Sequence, residues 1–220
     1  MLFFSAMPFT AARLRESLPV AALHLFASAL LAAVLAALIF RIWYRPPYDA
    51  LAGGRLLFVL LVGVDVVCGP LLTLLLFTRS KTRGQLLTDA IMIVALQAAA
   101  LAYGVSTAWN SRPVFLVAEV DRFKVIAWEE IRHADFSSLP PELQPSLWKP
   151  PAIVALRPPA SIEEKNKVLF ESLQTGRDYA ERPEFYIPYN AETAGKVLAR
   201  SRGASALLKA HPHHRQWLEN

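Results

Sequence analysis

Asp65 is the residue with the most chemistry to explain. It stands ten residues into an apolar run of 22, Leu56 to Phe77. A carboxylate at the centre of a membrane helix costs about 2.5–3.5 kcal/mol to insert. The run's sixteen Leu, Val and Phe residues supply about −5 to −10 kcal/mol, so insertion is expected in spite of Asp65. Intramembrane carboxylates mark ion paths, proton relays or partner contacts. The plainer alternative is that Asp65 hydrogen-bonds a neighbouring span, through His24 or Gln97. Glue or partner docking is preferred here over an ion or proton pathway. Gly69 and Pro70 follow in the same run, and Pro70 is expected to kink it by removing a backbone donor. Asp89 opens a third apolar run, Leu86 to Val105, at the end where a helix favours negative charge. Gln97 lies in the middle of that run.

Other chemistry is sparse. His211, His213 and His214 are of metal-ligand type, but no cysteine or carboxylate cluster accompanies them, and a histidine-rich terminus is the plainer reading. Glu129-Glu130 and Glu163-Glu164 are adjacent pairs on expected helices. Each pair points in two directions, which is poor geometry for acid/base work. Nucleophile-elbow, phosphate-loop and zinc-protease motifs are absent from the sequence. The expectation is a non-catalytic protein with no metal and no cofactor.

The elements that position these residues follow from composition. Of 220 residues, 54% are hydrophobic and 19% charged, and the mean hydropathy is +0.32. Residues 1–105 hold eight Lys+Arg and four Asp+Glu, whereas residues 106–220 hold fifteen and fourteen. A greasy first half joined to a balanced second half excludes a single soluble globule and a disordered chain. A net charge of +5, dispersed along the chain, does not suit a nucleic-acid binder. Cys68 is the sole cysteine, so no intrachain disulfide forms.

The expected architecture is a membrane protein with three transmembrane helices followed by a small α+β extracytoplasmic domain. Val20 to Phe40 is a run of 21 residues, reaching about 31 Å at the α-helical rise, enough to cross a bilayer core. It exceeds a signal-peptide core and ends in Arg41-Ile-Trp-Tyr44, so it reads as an uncleaved anchor. The segments are 1–19 (cytoplasmic), 20–42 (span), 43–55 (periplasmic loop), 56–77 (span), 78–85 (cytoplasmic loop), 86–105 (span) and 106–220 (periplasmic). Orientation rests on five Lys/Arg in the inner segments (Arg13, Arg15, Arg79, Lys81, Arg83) against three in the outer loop (Arg41, Arg45, Arg55). Trp43, Tyr44, Tyr48, Tyr103 and Trp109 cluster towards the outer side, where such rings prefer to sit.

In the outer domain, strands are expected at Pro113 to Val120, Phe123 to Ala127 and Ala152 to Leu156. A proline-rich loop, Leu139 to Pro145, separates the last two. Ser161-Ile-Glu-Glu164 fits a capping box starting a helix that Gly176 stops. Arg182 to Tyr189 is expected to be extended, its aromatics more often core than contact surface. Asn190 is expected to cap a further helix through Ala199.

Gly63-Val-Asp-Val-Val-Cys-Gly-Pro-Leu-Leu-Thr-Leu74 resembles the second-span signature of the TfpX/TfpZ family of type IV pilin accessory proteins. Leu96-Gln-Ala-Ala-Ala-Leu-Ala-Tyr-Gly104 resembles its third span. Arg112-Pro-Val-Phe-Leu-Val-Ala-Glu-Val-Asp-Arg-Phe123 and Arg182-Pro-Glu-Phe-Tyr-Ile-Pro-Tyr189 resemble its extracytoplasmic blocks. The resemblance covers about Leu18 to Arg200. It implies a multi-pass inner-membrane protein of Gram-negative bacteria, with its C-terminal domain periplasmic, that assists a type IV pilin's stability, assembly or pilus dynamics. The motif positions it singles out as partner-binding are Asp65, Gly69, Pro70 and Gln97 within the membrane. Outside they are Arg112, Asp121, Arg122, Arg182, Tyr186 and Tyr189. Asp89 joins the first set as a candidate partner for a pilin's N-terminal amine.

Three classes of function follow. The first is a pilin-dedicated chaperone or assembly factor, with Ala95, Ala98, Ala99 and Ala102 offering a small-residue face for close helix approach. The second is a structural or regulatory subunit that touches components of the pilus machine, and not pilin. A small transporter or enzyme is the remote third, because only His24 and Asp89 are at hand to face Asp65.

Overall fold

Long apolar runs satisfy their backbone groups internally as helices, and the first half of the chain is built from them. In the computed structural model, residues 11–119, 122–200, 206 and 209 are described, with the backbone alone at 12, 57, 60, 61 and 64. Helix α1 covers Ala11–Leu38 and runs into a π-helical turn, Ile39–Trp43. A short helix α2, Tyr48–Leu51, precedes α3, Gly54–Leu76, and α4, Arg83–Asn110. The first and third of the expected spans start earlier than apolar runs alone suggest, because helices continue through polar flanks that make good caps. Thr82 accepts from the Gln85 backbone N–H at 3.3 Å, and the Gln85 side chain accepts from Thr82 N–H at 2.9 Å.

The chain divides into two compact units, Met1–Arg112 and Pro113–Asn220. In the first, α3 packs against both α1 and α4. The apolar side chains of this unit face outward: Leu23, Phe26 and Leu30 on α1, and Leu87, Ile91, Met92 and Leu96 on α4, are exposed. Among the described residues, Arg13–Trp43 and Arg83–Asn110 are long and apolar enough to cross a bilayer, while α3 carries a shorter apolar stretch, Asp65–Leu76. Helix α3 runs on through Pro70 without a break in its assignment.

The second unit is a small helix/sheet domain. Strands β1 (Pro113–Ala118), β2 (Phe123–Ala127), β3 (Ala152–Leu156) and β4 (Tyr186–Pro188) form one sheet in the order β2-β1-β3-β4. Strand β1 is antiparallel to β2 and parallel to β3, and β3 is antiparallel to β4. Alternation along β1 sends Phe115 and Val117 into the core with Ile126, Ile131, Val154, Ala180 and Tyr186. Helices α5 (Trp128–Ile131), α6 (Ile162–Thr175) and α7 (Ala191–Leu198) complete the domain.

Two expectations change in detail. The 182–189 block is not uniformly extended: it opens with a 3₁₀ turn, Pro183–Phe185, before β4. Proline fixes φ near the helical value and so starts the turn. The box at the start of α6 is half formed. Ser161 Oγ accepts from Glu164 N–H at 3.1 Å, but Glu164 turns to Arg157 and to the Ala160 N–H instead of Ser161. A guanidinium outcompetes a backbone amide for a carboxylate because the bond is charge-assisted and bidentate.

Candidate functional site

His24 of α1, Asp65, Gly69 and Thr73 of α3 and Gln97 of α4 meet at the middle of the helical unit. Gly69 and Thr73 are four residues apart and share a face of α3. A Cβ on Gly69 would overlap the Gln97 side-chain amide, so glycine is what lets α4 lie this close. The Gln97 Nε2 donates to the Asp65 backbone carbonyl at 3.1 Å. This orients its Oε1 towards His24, whose Nε2 lies 2.9 Å away. With Nε2 as donor, a neutral imidazole accepts at Nδ1, where the Thr73 hydroxyl sits at 2.6 Å. The result is a directed chain across three helices, from Thr73 to His24 to Gln97 to Asp65 C=O.

The expected glue is therefore present, but its members differ from those anticipated. Sequence reading assigned the joint to the Asp65 side chain; the structure uses its backbone carbonyl. Thr73 was overlooked, although its i,i+4 spacing from Gly69 places it on the same face. The Asp65 side chain instead lines a cavity of about 360 Å³, together with His24, Ser28, Phe58, Gln97 and Ala98. No hydrogen bond or ion pair of the Asp65 carboxyl is found among the described residues. The rest of the lining is mostly alanine, leucine and valine, which gives a carboxyl group an apolar chamber with one polar wall.

Each end of the unit is closed by different chemistry. At one end, Arg13 donates to Leu75 C=O at 2.5 Å and Lys81 to Leu76 C=O at 2.8 Å, satisfying carbonyls at the end of α3. Lys81 also pairs with Asp89 at 2.5 Å. Asp89 thus answers a lysine of its own chain, seven residues inside the helix start. At the other end, Tyr44 is fully buried and donates to Ala108 C=O at 3.1 Å. Trp43 and Trp109 meet edge to face at 5.2 Å. Arg112 stacks on Trp109 at 4.0 Å and donates to its carbonyl at 2.7 Å. Tyr103 is exposed.

The outer candidates are largely structural. Arg182 is only 3% exposed and pairs with Glu171 at 2.6 Å. The Arg182 guanidinium holds the Glu171 carboxyl below its ordinary range. Tyr186 is core, edge to face with Phe115 at 5.0 Å, and donates to Ala180 C=O at 2.5 Å. Tyr189 packs at 5.9 Å on Phe123, and Arg122 pairs with Glu119 at 3.2 Å. Tyr186 is thus core, as preferred for the aromatics of this block, and Arg182 is buried as well. Asp121 and the histidines at 211, 213 and 214 lie outside the described residues. Among the described residues, no His/Cys/Asp/Glu group has metal-site geometry.

A family model described as "Fimbrial assembly protein FimB" matches residues 12–53, the stretch from α1 to just past α2. Three curated relatives from Dichelobacter nodosus are similar to the chain. The fimbrial assembly protein of serogroup I is 33% identical over 187 residues, covering 83% of this chain and 72% of the relative. That of serogroup E1 is 32% identical with the same coverage. That of serogroups C1 and C2 is 37% identical over 112 residues, covering 51% of this chain and 86% of the relative. No solved structure matches the chain.

Proposed function

The chain belongs to the family of fimbrial assembly proteins, and from that premise we propose that it is a non-catalytic membrane accessory that holds a type IV pilin before or during its entry into the fibre. A role in fimbrial biogenesis follows from the family. The finer reading has α1, α3 and α4 crossing the inner membrane, the N-terminus cytoplasmic and the sheet domain periplasmic, in the manner of the TfpX/TfpZ proteins.

The observation that carries this reading is the division of labour at mid-helix. His24, Thr73 and Gln97 satisfy one another, so the joint needs nothing further from Asp65. A carboxyl left over in an apolar chamber is costly in a bilayer unless something answers it. A pilin waiting in the membrane is a transmembrane helix, and a donor on such a helix answers Asp65 from the side that Ala98 leaves open. Small residues there permit close approach, which in lipid replaces the hydrophobic drive. Gly69 and Gln97 then act as the hinge that shapes the chamber. Pro70 belongs to the same segment, whereas Asp89, already answered by Lys81, is left out of the pilin contact.

Asp65→Leu tests this. The variant is expected to insert and accumulate normally but to lose pilin on co-purification. Normal pilin recovery removes Asp65 from the mechanism. A photocrosslinking residue at Ala98, in cells making the cognate pilin, is expected to capture that pilin. Capture confined to platform components of the pilus machine overturns the pilin reading in favour of a structural subunit.

A further inference from the structure

Helix α6 reverses the burial pattern of the domain's sheet. Ile162, Leu169, Phe170 and Leu173 are 73%, 54%, 61% and 75% exposed. They stand at i, i+7, i+8 and i+11, one face of a helix. No residue of α6 is buried. The helix is gripped instead by two arginines of the domain body. Arg157 holds Glu164 through two bonds of 2.9 and 3.1 Å, and Arg182 holds Glu171 at 2.6 Å. Glu164 and Glu171 are seven residues apart and, at about 100° per residue, lie opposite the stripe of Ile162, Leu169 and Leu173. The grip therefore turns the apolar face away from the domain. Gly176, at φ 72°, ends the helix cleanly in the left-handed conformation.

We propose that α6 is an interfacial helix whose Ile162/Leu169/Phe170/Leu173 face lies in the bilayer surface. Chain connectivity names the occupant. Only Ser111 and Arg112 separate the end of α4 from the start of β1. A domain tied by two residues to a membrane helix never leaves the membrane, so even weak partition of an amphipathic face becomes an intramolecular event. Lys165 is exposed beside the stripe and suits a headgroup layer, whereas Lys167 pairs with Glu171 at 3.8 Å. The Arg157 and Arg182 pairs set the angle at which the domain presents this face. The proposal rests on α4 being embedded, and is independent of the pilin contact.

The test uses the full chain in proteoliposomes of phosphatidylethanolamine and phosphatidylglycerol, on a Cys68→Ser background, with an environment-sensitive fluorophore on single introduced cysteines. Probes at Leu169 and Leu173 are expected to show blue-shifted emission, quenched by lipids carrying a spin label near the headgroup. A probe at Glu192 on α7 is expected to stay water-like. Leu169→Glu with Leu173→Glu is expected to abolish the blue shift of a probe at Ile162; these residues are exposed, so the domain's thermal unfolding should not change. A probe at Leu96 on α4 reports embedding through a deep spin label. Deep quenching at Leu96 with water-like emission at Leu169 and Leu173 overturns the proposal while leaving the membrane reading intact. No quenching at Leu96 removes both. Shielding of Leu169 and Leu173 that needs added pilin, or that grows with protein density, overturns the proposal in favour of a partner or a second copy.

Discussion

The two units of this molecule bury opposite things. The helical unit turns leucine, isoleucine and methionine outward and keeps His24, Thr73 and Gln97 at its centre. The sheet domain turns most of its charges outward, Arg182 excepted, and keeps Phe115, Val117, Ile126 and Val154 at its centre. Each arrangement is wrong for the other's solvent. In water, burying apolar area is the main favourable contribution; in lipid it contributes little, and hydrogen bonds with close packing take over. On the proposed membrane placement, one chain folds under two rules, and the change falls between Asn110 and Pro113. Helix α6 departs from the pattern of its own domain, because Ile162, Leu169, Phe170 and Leu173 are exposed on it.

The largest expected effect tests the core of the sheet domain. Phe115→Ala should destabilise it by about 3–5 kcal/mol, the usual cost of truncating a buried aromatic, seen as rapid proteolysis of the domain while the helical unit stays membrane-bound. Leu96→Ala on α4, which removes a comparable side chain from an exposed position, should leave both units nearly unchanged. Equal sensitivity to the two changes would break the comparison.

A smaller effect tests the polar joint. Gln97→Leu keeps the volume but removes two bonds. It should cost about 0.6 kcal/mol, and no more than about 1.7, in keeping with polar contacts between membrane helices. Reversible unfolding in bicelles reads this, and a cycle with His24→Leu should show the two losses to be coupled. Strict additivity would mean that the chain from Thr73 to Asp65 does not act as a unit.

The smallest effect is electrostatic and confined to the outer domain. Arg157, with help from the Ala160 N–H, holds the Glu164 carboxyl down at about 2, from an ordinary 4.5. A depressed folded value means that the ionised form favours folding. The contribution is present above pH 4.5 and is lost as pH falls towards 2. Being solvent-accessible, the pair contributes modestly and is screened by salt. Glu164→Gln should flatten part of the acid limb of the domain's thermal midpoint between pH 5 and pH 2, whereas Glu192→Gln on α7 should change it less.

What the sequence determined by itself was whatever depends on local pattern. Apolar runs marked three long helices, runs of β-branched, aromatic and other apolar residues marked β1 to β3, and Ser161, Gly176 and Asn190 marked where α6 and α7 begin or end. These signals are short in range: a cap, a period, a charge imbalance. Asp65 also stood out, since a carboxylate in a run of leucine and valine is costly wherever the run folds. Only the tertiary structure decided which group serves which purpose. Nothing in the spacing of His24, Thr73 and Gln97, up to 73 residues apart, says that they bond in series and leave the Asp65 carboxyl without a partner among the described residues. Gly69 reads as a weak point in a helix until α4 is seen to need its missing side chain. Tyr186 joins the core as its block suggested, but only the fold shows Arg182 buried and paired with Glu171. The two ends of α6 were legible, but the exposure of its apolar face was not, because Arg157 and Arg182 grip the opposite side. Local chemistry specifies elements; long-range packing decides which of their faces are left over.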